Sequence, residues 1–156
     1  MLLSSCATRA PRYDFRDLAR AAVRLDMDID MDDNHALYLE VSNWLGVPYR
    51  SGGGSMRGTD CSGFTSAVYK KVYRKKLERS AEDQRKHDCR QVTKRGLEEG
   101  DLVFFHNGKK KRKETHVGIY LKNNRFIHAS LRRGVIVSEL GDPYYKSRWM
   151  QGGRVK

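Results

Sequence analysis

The sequence is poor in the residues that would build a disulfide scaffold. It contains three cysteines and three prolines in 156 residues. The cysteines, Cys6, Cys61 and Cys89, form no C-x-x-C pair, and an odd number of them cannot all be joined in disulfides. We therefore predict neither a disulfide framework nor a zinc knuckle, and each cysteine has to be judged by its own neighbours.

Long hydrophobic runs and an acidic excess are also missing. No apolar stretch approaches the roughly 20 residues that a membrane-spanning helix requires. The hydrophobic fraction of 38% is nevertheless too high for a disordered polyelectrolyte, so we expect one soluble globular domain. Lys and Arg number 31 against 19 Asp and Glu, a net charge of +12. Anionic envelope polymers, lipid surfaces and nucleic acids are therefore candidate partners.

The positive charge is concentrated in the larger, C-terminal part of the chain. Residues 1–40 contain 5 Lys and Arg against 8 Asp and Glu, whereas residues 41–156 contain 26 against 11. Aspartates alternate with apolar residues over 26–33, but a calcium loop started at Asp26 would put Met31 where glycine is needed. We interpret this run as a solvated acidic connection or a short edge strand.

Apolar periodicity predicts three helices in the first half of the chain. The first opens near Pro11 with an apolar stripe of Phe15, Leu18, Ala19, Ala22 and Val23. The second has Asn34 as its N-cap and Gly46 as its stop. The third begins close to Cys61, after which Phe64, Val68 and Val72 recur at helical spacing.

The last third of the chain has the alternation and turn residues of β-strands. The strand-like runs are 102–106, 115–121, 125–130 and 135–139. Helices followed by strands predict an α+β domain, with N-terminal helices packed on a central antiparallel β-sheet.

Cys61 has the sequence setting of a nucleophile. It follows a Gly-rich loop and begins a helix, where the helix dipole and unpaired backbone N–H groups stabilise a thiolate. A thiolate nucleophile also needs a base, and histidine titrates in the right range. His116 and His128 lie on successive strands, so one is a candidate base and the other a candidate orienting residue.

The turn between these two strands decides whether the two rings can meet. A two-residue turn at 123–124 would put His116 and His128 on opposite faces of the hairpin. A three-residue loop at 122–124 pairs Gly118 with His128 and leaves His116 one diagonal step away. We therefore predict the three-residue loop, or an equivalent bulge, with room for the His128 ring opposite Gly118.

Several segments, taken in order, resemble one known family. They are Pro48-Tyr49-Arg50, 58–63 around Cys61, Arg79-Ser80 with Gln84, 99–105, 116–120, 126–130 and Gly134-Val135. Together they resemble the NlpC-type cell-wall cysteine endopeptidases, which are papain-like enzymes that cleave peptidoglycan stem peptides. The resemblance runs from about Trp44 to Val155.

The resemblance implies a papain-like fold with the nucleophile at a helix N-terminus. It implies that Cys61 is the nucleophile, that His116 is the general base and then acid, and that His128 orients His116. Further residues implied in substrate binding are Tyr49, Asp60, Ser62 and Arg79. It implies no metal and no cofactor. The bond cut in this family is typically the one between γ-D-glutamate and the diamino acid of the stem peptide, cleaved through a thioester.

Other functions remain open from the sequence. An N-acetylmuramoyl-L-alanine amidase or an acyltransferase on the same fold would share the nucleophile and the base. A zinc site built from Cys61, His116 and His128 is another alternative. A basic nucleic-acid-binding domain is a more distant one, because no recognised nucleic-acid motif accompanies the charge.

The domain organisation follows from the resemblance and from the N-terminus. Cys6 follows Leu3-Ser4-Ser5, as in a bacterial lipoprotein signal, although a full signal would need about 7–15 apolar residues before it. We interpret residues 1–10 as a remnant of such a signal, with Cys6 as the lipid attachment site, or as a chance match. Residues 11–43 form a helical extension and 44–156 the catalytic domain. We expect a monomer in the bacterial cell envelope that acts on peptidoglycan stem peptides.

Overall fold

The computed structural model of the protein describes residues 13–107 and 114–156. Three features of the sequence lie outside the described residues: Cys6, Pro11 and the basic run 109–113. In the part of the chain that is described, no helix is long and apolar enough to cross a membrane.

Three longer helices precede most of the strands. They are α1 (Phe15–Leu25), α2 (His35–Trp44) and α3 (Cys61–Val72). Two short helices, α4 (Ala81–Asp83) and α5 (Pro143–Lys146), lie in connections, and a π-helical turn at Gln84–Asp88 follows α4 directly.

The strands form one six-stranded antiparallel sheet and a small ribbon. The sheet contains β3 (Cys89–Val92), β4 (Leu102–Asn107), β5 (Glu114–Tyr120), β6 (Arg125–Ser130), β7 (Gly134–Glu139) and β8 (Trp149–Val155), in the order β3-β8-β4-β5-β6-β7. The ribbon pairs β1 (Gly54–Ser55) with β2 (Gly58–Thr59). The predicted α+β class is therefore confirmed. The four predicted strands are present to within one residue at each end, whereas β3, β8 and the ribbon were not predicted.

Side-chain caps fix the starts of α2 and α3. Asn34 accepts a hydrogen bond from the backbone N–H of Leu37 at 3.1 Å, and Gly46 follows the helix with a φ of +82°. Asp60 accepts one from the N–H of Gly63 at 2.7 Å. These caps satisfy backbone donors that have no partner within a helix. The predicted cap of α2 and the predicted helix start at Cys61 are confirmed.

The predicted buried face of α1 was wrong in part. Phe15 and Val23 are 73% and 81% exposed, whereas Ala21 and Leu25 are buried. The helix packs on α2. The buried face of α1 therefore begins at Leu18 and includes Ala21 and Leu25. It begins three residues later in the helix than the predicted stripe, which began at Phe15.

The sheet separates two groups of buried side chains, because successive residues of a strand point to opposite faces. Phe104 and Ile119 belong to the main core with α2 and α3. Phe105 and Phe126 belong to a smaller aromatic cluster on the other face, joined by Tyr145 from α5. The predicted site histidines lie in the strands that carry both groups.

The acidic connection between α1 and α2 is neither a strand nor fully solvated. Lys122 forms ion pairs with Asp30 and Asp33, and the Asp33 side chain is only 12% exposed. Lys122 is the first residue of the three-residue loop that the backbone hydrogen bonds of Leu121 and Arg125 close between β5 and β6. The acidic run therefore anchors the loop that sets the register of that hairpin.

Candidate active site

The β5–β6 hairpin has the predicted three-residue loop. Ile119 pairs with Ile127, and backbone hydrogen bonds close the loop around 122–124. Both Asn123 and Asn124 have positive φ values, 54° and 59°, a conformation that Asn tolerates better than most residues. The predicted register is therefore confirmed, and its continuation puts Gly118 opposite His128.

The two histidine rings meet on one face of this hairpin. His116 Nε2 lies 2.8 Å from His128 Nδ1, and the ring planes cross at 87°. Phe126 stacks on the His128 ring with centroids 4.9 Å apart. The contact predicted from loop parity is present, and His128 is almost completely buried.

Cys61 begins α3 and lies against β5. The backbone N–H groups of Val117 and Ser62 lie near its sulfur and favour the thiolate, which lowers the pKa of the thiol. Val117 is the neighbour of His116 in β5, so the thiol lies next to the strand that carries the candidate base. The N-terminus of α3 therefore places the candidate nucleophile beside the strand that carries the candidate base.

Burial sets the protonation states of the pair. Burial raises the pKa of the Cys61 thiol, and the N–H of Val117 offsets this only in part. Burial also lowers the pKa of His116 to about 4 and, with His116 nearby, lowers the pKa of His128 well below its usual value. Burial thus favours a neutral thiol and neutral imidazoles at rest, because it penalises their charged forms. This effect opposes the thiolate expected from the helix N-terminus, and the resting thiolate stays a prediction.

Asp60, Ser62 and Arg79 form one polar cluster beside Cys61. Arg79 donates to both carboxylate oxygens of Asp60 at 2.8 and 3.2 Å, and to Ser62 Oγ at 3.0 Å. The N–H of Gly52 also donates to Asp60. Burial opposes ionisation of Asp60, but Arg79 and the backbone donors outweigh it and lower the pKa of the carboxyl. The structure therefore brings three of the four predicted substrate-binding residues together.

Tyr49 also lies near the thiol. It forms a backbone bridge with Thr59, two residues before Cys61. Burial, then the nearby Cys61, raises the pKa of Tyr49, so its phenol is protonated. Tyr49 is thus adjacent to the candidate nucleophile, and its role in substrate binding stays a prediction.

Three supporting residues carry no predicted role. Gln84, fully buried, donates to the carbonyls of Ser62 and Glu78 and accepts from the Thr65 hydroxyl at 2.8 Å. It therefore braces the first turn of α3.

The hydroxyls of Ser138 and Tyr145 lie 2.9 and 3.1 Å from His128 Nε2. Alternation along β7 puts Ser138 on the face of Phe126, which is a signal that sequence could have supplied. Tyr145 has no such signal.

The histidine geometry does not suit the zinc alternative. His116 Nε2 and His128 Nδ1 point at each other and are 2.8 Å apart. A zinc ion lies about 2.0–2.1 Å from each ligand nitrogen, so it does not fit between these two atoms. Within residues 13–107 and 114–156, no group of three or more His, Cys, Asp and Glu is arranged to hold a metal ion. The facing nitrogens are instead a hydrogen-bonded pair.

A cysteine at a helix N-terminus beside a strand that carries a histidine pair is the arrangement typical of papain-like cysteine peptidases. Residues 46–154 match the NlpC/P60 family model. The chain therefore belongs to the NlpC/P60 family, which is a family of cysteine peptidases.

Named relatives and solved structures agree with this assignment. The chain is 38% identical to a probable endopeptidase NlpC homolog of Haemophilus influenzae, over 85% of this chain and 69% of the relative. It is 37% identical to the murein DD-endopeptidase MepS/murein LD-carboxypeptidase of Escherichia coli K12, over 94% of this chain and 71% of the relative.

Two solved structures share the fold. One is a Staphylococcus aureus protein described as similar to lipoprotein, NLP/P60 family. It superposes with a TM-score of 0.69 at 32% identity, over 83% of this chain and 43% of its own. The other is the NlpC/p60 domain of the peptidoglycan hydrolase SagA, with a TM-score of 0.65 at 26% identity, over 79% of this chain and 99% of its own. This chain therefore spans less than half of the Staphylococcus aureus protein and nearly all of the SagA domain.

Proposed function

We propose that this protein is a cysteine endopeptidase that hydrolyses peptidoglycan stem peptides. The observation that carries the proposal is the placement of Cys61 at the start of α3, beside a strand whose His116 is hydrogen-bonded to His128 at 2.8 Å. This order of nucleophile, base and orienting residue is the one that acyl transfer requires. The endopeptidase names of the relatives support the substrate class.

The first step joins proton transfer to nucleophilic attack. Since Cys61 and His116 are neutral at rest, the thiol proton moves to His116 as the sulfur attacks the amide carbonyl carbon. His116 Nε2 is directed at His128, so Nδ1 is the nitrogen that receives this proton. As the carbon–sulfur bond forms, the carbonyl electrons move to oxygen, and the backbone N–H of Cys61 is positioned to donate to that oxyanion.

The remaining steps return the enzyme to its resting state. Collapse of the oxyanion breaks the carbon–nitrogen bond, and His116 gives its proton to the leaving amine, which leaves a thioester on Cys61. Water then attacks the thioester while His116 takes its proton. Collapse of this second intermediate breaks the carbon–sulfur bond and releases a carboxylic acid, and His116 returns its proton to the sulfur, which restores the thiol. The steps use the protein's own groups and water.

In the polar cluster beside Cys61, Asp60 orders the backbone and Arg79 is available to bind substrate. Both oxygens of Asp60 are engaged within the protein, by Gly52, Gly63 and Arg79. A substrate amine would have to displace these partners, so Asp60 orders the loop before Cys61 and the first turn of α3. The Arg79 side chain is 56% exposed and presents a guanidinium edge suited to a substrate carboxylate or carbonyl.

Two stem-peptide bonds are candidates for cleavage. The bond between γ-D-glutamate and the diamino acid is the one that the family resemblance implies. A γ-DL-glutamyl hydrolase of Bacillus subtilis, 37% identical over 70% of this chain but only 26% of the relative, supports it. The D,D cross-link is favoured by the Escherichia coli relative named a murein DD-endopeptidase, which matches 94% of this chain.

Mass spectrometry of digested peptidoglycan separates these reactions. Purified sacculi are incubated with the wild type, with Cys61→Ala, and with Cys89→Ala as a control for loss of the buried thiol. New termini at the γ-D-glutamyl bond identify the first reaction, and conversion of cross-linked dimers to monomers identifies the second. Release of intact stem peptides from muramic acid would replace the endopeptidase proposal with an amidase. The absence of wild-type products would contradict enzymatic action on peptidoglycan.

The substrate implies a location in the bacterial cell envelope, where the net charge of +12 favours contact with anionic polymers. A lipid on Cys6 would keep the enzyme at a membrane surface. Intact-mass measurement of the membrane fraction from cells that produce the wild type or Cys6→Ala tests this. We expect the added mass of a lipid in the wild type alone. An unmodified wild-type N-terminus would show that Cys6 is not a lipid attachment site.

A further inference from the structure

The outer nitrogen of the His128 ring has two hydroxyl partners. Ser138 Oγ from β7 lies 2.9 Å from His128 Nε2, and Tyr145 Oη from α5 lies 3.1 Å from the same atom. Two separate elements of the fold therefore bring hydroxyl groups to a ring atom that faces away from His116.

Packing fixes this arrangement. Phe126 covers one face of the His128 ring, with centroids 4.9 Å apart. The Tyr145 ring packs edge-on against Phe126 and Phe105, with centroids 5.0 and 5.4 Å away. Because these aromatic rings are held in the smaller cluster of the sheet, the Tyr145 hydroxyl is confined beside His128 Nε2.

The neighbours of His128 bear on which of its two ring nitrogens carries a proton. His128 is 1% exposed, and burial, together with His116 and Arg133 nearby, disfavours its charged form. A neutral imidazole carries one proton for its two nitrogens. That proton is either on Nδ1, towards His116, or on Nε2, towards the two hydroxyls.

The two tautomers have opposite effects on His116. With the proton on Nδ1, His128 donates to His116 Nε2, so the proton of a neutral His116 occupies Nδ1 and blocks the nitrogen that must receive the Cys61 proton. With the proton on Nε2, the Nδ1 lone pair of His128 accepts from His116 Nε2–H. His116 Nδ1 is then free to take the thiol proton.

We propose that Ser138 and Tyr145 are positioning residues that accept a hydrogen bond from His128 Nε2–H and thereby keep His128 Nδ1 as the acceptor for His116. The inference rests on the proposed role of His116 as the base. When His116 becomes an imidazolium ion, its Nε2–H keeps an acceptor, and no proton leaves His128. The hydroxyls thus act through His128 and do not touch the reacting atoms.

A comparison of two backgrounds tests this role through activity. Ser138→Ala with Tyr145→Phe removes both acceptors and should lower kcat about a hundredfold, with KM nearly unchanged, because the wrong tautomer then prevails. His128→Asn places an amide oxygen where Nδ1 lies, and that oxygen accepts from His116 in every state. In this background the same two substitutions should cost less than about twofold. An equal loss in both backgrounds, or no loss in the wild type, would overturn the inference.

A tautomer measurement tests the same claim without reference to turnover. Long-range ¹H–¹⁵N NMR spectra of the full chain distinguish Nδ1–H from Nε2–H in histidine. We expect Nε2–H at His128 in the wild type and in Tyr144→Phe, a control that removes the neighbouring hydroxyl. We expect Nδ1–H in the double variant.

The two measurements separate this inference from the proposed function. Nδ1–H at His128 in an active wild type would overturn the tautomer role and leave the endopeptidase proposal intact. Nε2–H in a wild type that fails to cleave peptidoglycan would do the reverse. If the double variant does not fold, the wild-type spectrum and each single variant, with its own loss in kcat, still decide the outcome.

Discussion

Gly118 lies opposite His128, and a Cβ atom on Gly118 would come within 3.0 Å of the His128 Cβ. The absence of a side chain at 118 therefore makes the space that the His128 ring and its stacked neighbour Phe126 occupy. The hydrogen bond between His116 and His128 depends on this space, because both rings are held on the same face of the hairpin.

Gly118→Ala should damage both stability and activity. The new methyl group would lie 2.9 Å from the Ile127 carbonyl oxygen and 2.9 Å from the Phe126 ring, so the hairpin or the ring must move. We expect a loss of about 1–3 kcal/mol in the free energy of unfolding, as for other overpacked sites, and a larger relative loss in kcat than in KM. Urea denaturation and steady-state kinetics measure these effects. Gly141→Ala is the control, because no atom lies within 4 Å of the added Cβ.

Arg79→Gln should weaken substrate binding more than chemistry. The change removes the charged partner of Asp60 and the exposed guanidinium edge. Charged hydrogen bonds are worth about 1.5–3 kcal/mol, so KM should rise roughly tenfold or more, while kcat changes less. Arg57→Gln, at an exposed arginine of the neighbouring ribbon, should leave both constants unchanged. A selective fall in kcat would instead tie Arg79 to the transition state.

Stability should fall as the pH falls from neutrality, because desolvation lowers the pKa of both site histidines. The unfolded His116 binds a proton below about pH 6.5, but the folded one binds it only below about 4. Between these values the unfolded state holds more protons, so the free energy of unfolding decreases on acidification. His116 alone should account for a loss on the order of 2 kcal/mol between pH 7 and 5.

Urea denaturation at pH 7 and pH 5 measures this dependence. The window avoids most of the contribution from Glu82, whose pKa is lowered to about 2, mainly by Arg85, and whose stabilisation is lost only as the pH falls below about 4.5. His116→Gln should have a shallower dependence than the wild type. His106→Gln, at an exposed histidine next to the last residue of β4, should retain the wild-type dependence. Equal dependence in all three proteins would contradict burial of a neutral His116.

Thiol alkylation should distinguish the two described cysteines. Burial raises the pKa of Cys61 and raises that of Cys89 to about 12. Only the thiolate reacts, so iodoacetamide should modify Cys61 slowly at pH 7 and faster as the pH rises. Cys89 should react only in denaturant. Peptide mass spectrometry after timed quenching measures both rates, and rapid, pH-independent modification of Cys61 would show that a thiolate is held at rest.

The central geometry of the site was predictable from sequence because it follows from parity. The loop 122–124 has an odd length, and this alone puts His116 and His128 on one face. The cap of α2 by Asn34 and the start of α3 at Cys61 were predictable for a similar reason, since each rests on local hydrogen bonding. Such features need no knowledge of distant residues.

Features that depend on distant packing were missed. The exposed face of α1 depends on where α2 lies. The strand β8 was not predicted because it contains Gly152-Gly153, which weaken a strand pattern in the sequence. Both positions lack side chains because neighbouring atoms lie too close for a Cβ. A Cβ on Gly153 would lie 2.8 Å from the Cys89 Cβ. The raised pKa of the Cys61 thiol was missed because burial, which opposes the helix dipole, is a property of the whole fold. Tyr145 reaches His128 only through tertiary packing.

The central claim is that Cys61 forms a thioester with the substrate after giving its proton to His116. The most direct test is rapid acid quenching during turnover of a purified stem-peptide substrate, followed by mass spectrometry of the peptide that contains residue 61. We expect an acyl adduct on Cys61 in the wild type and loss of both adduct and turnover in Cys61→Ala. Turnover by Cys61→Ala at a rate near that of the wild type would contradict it.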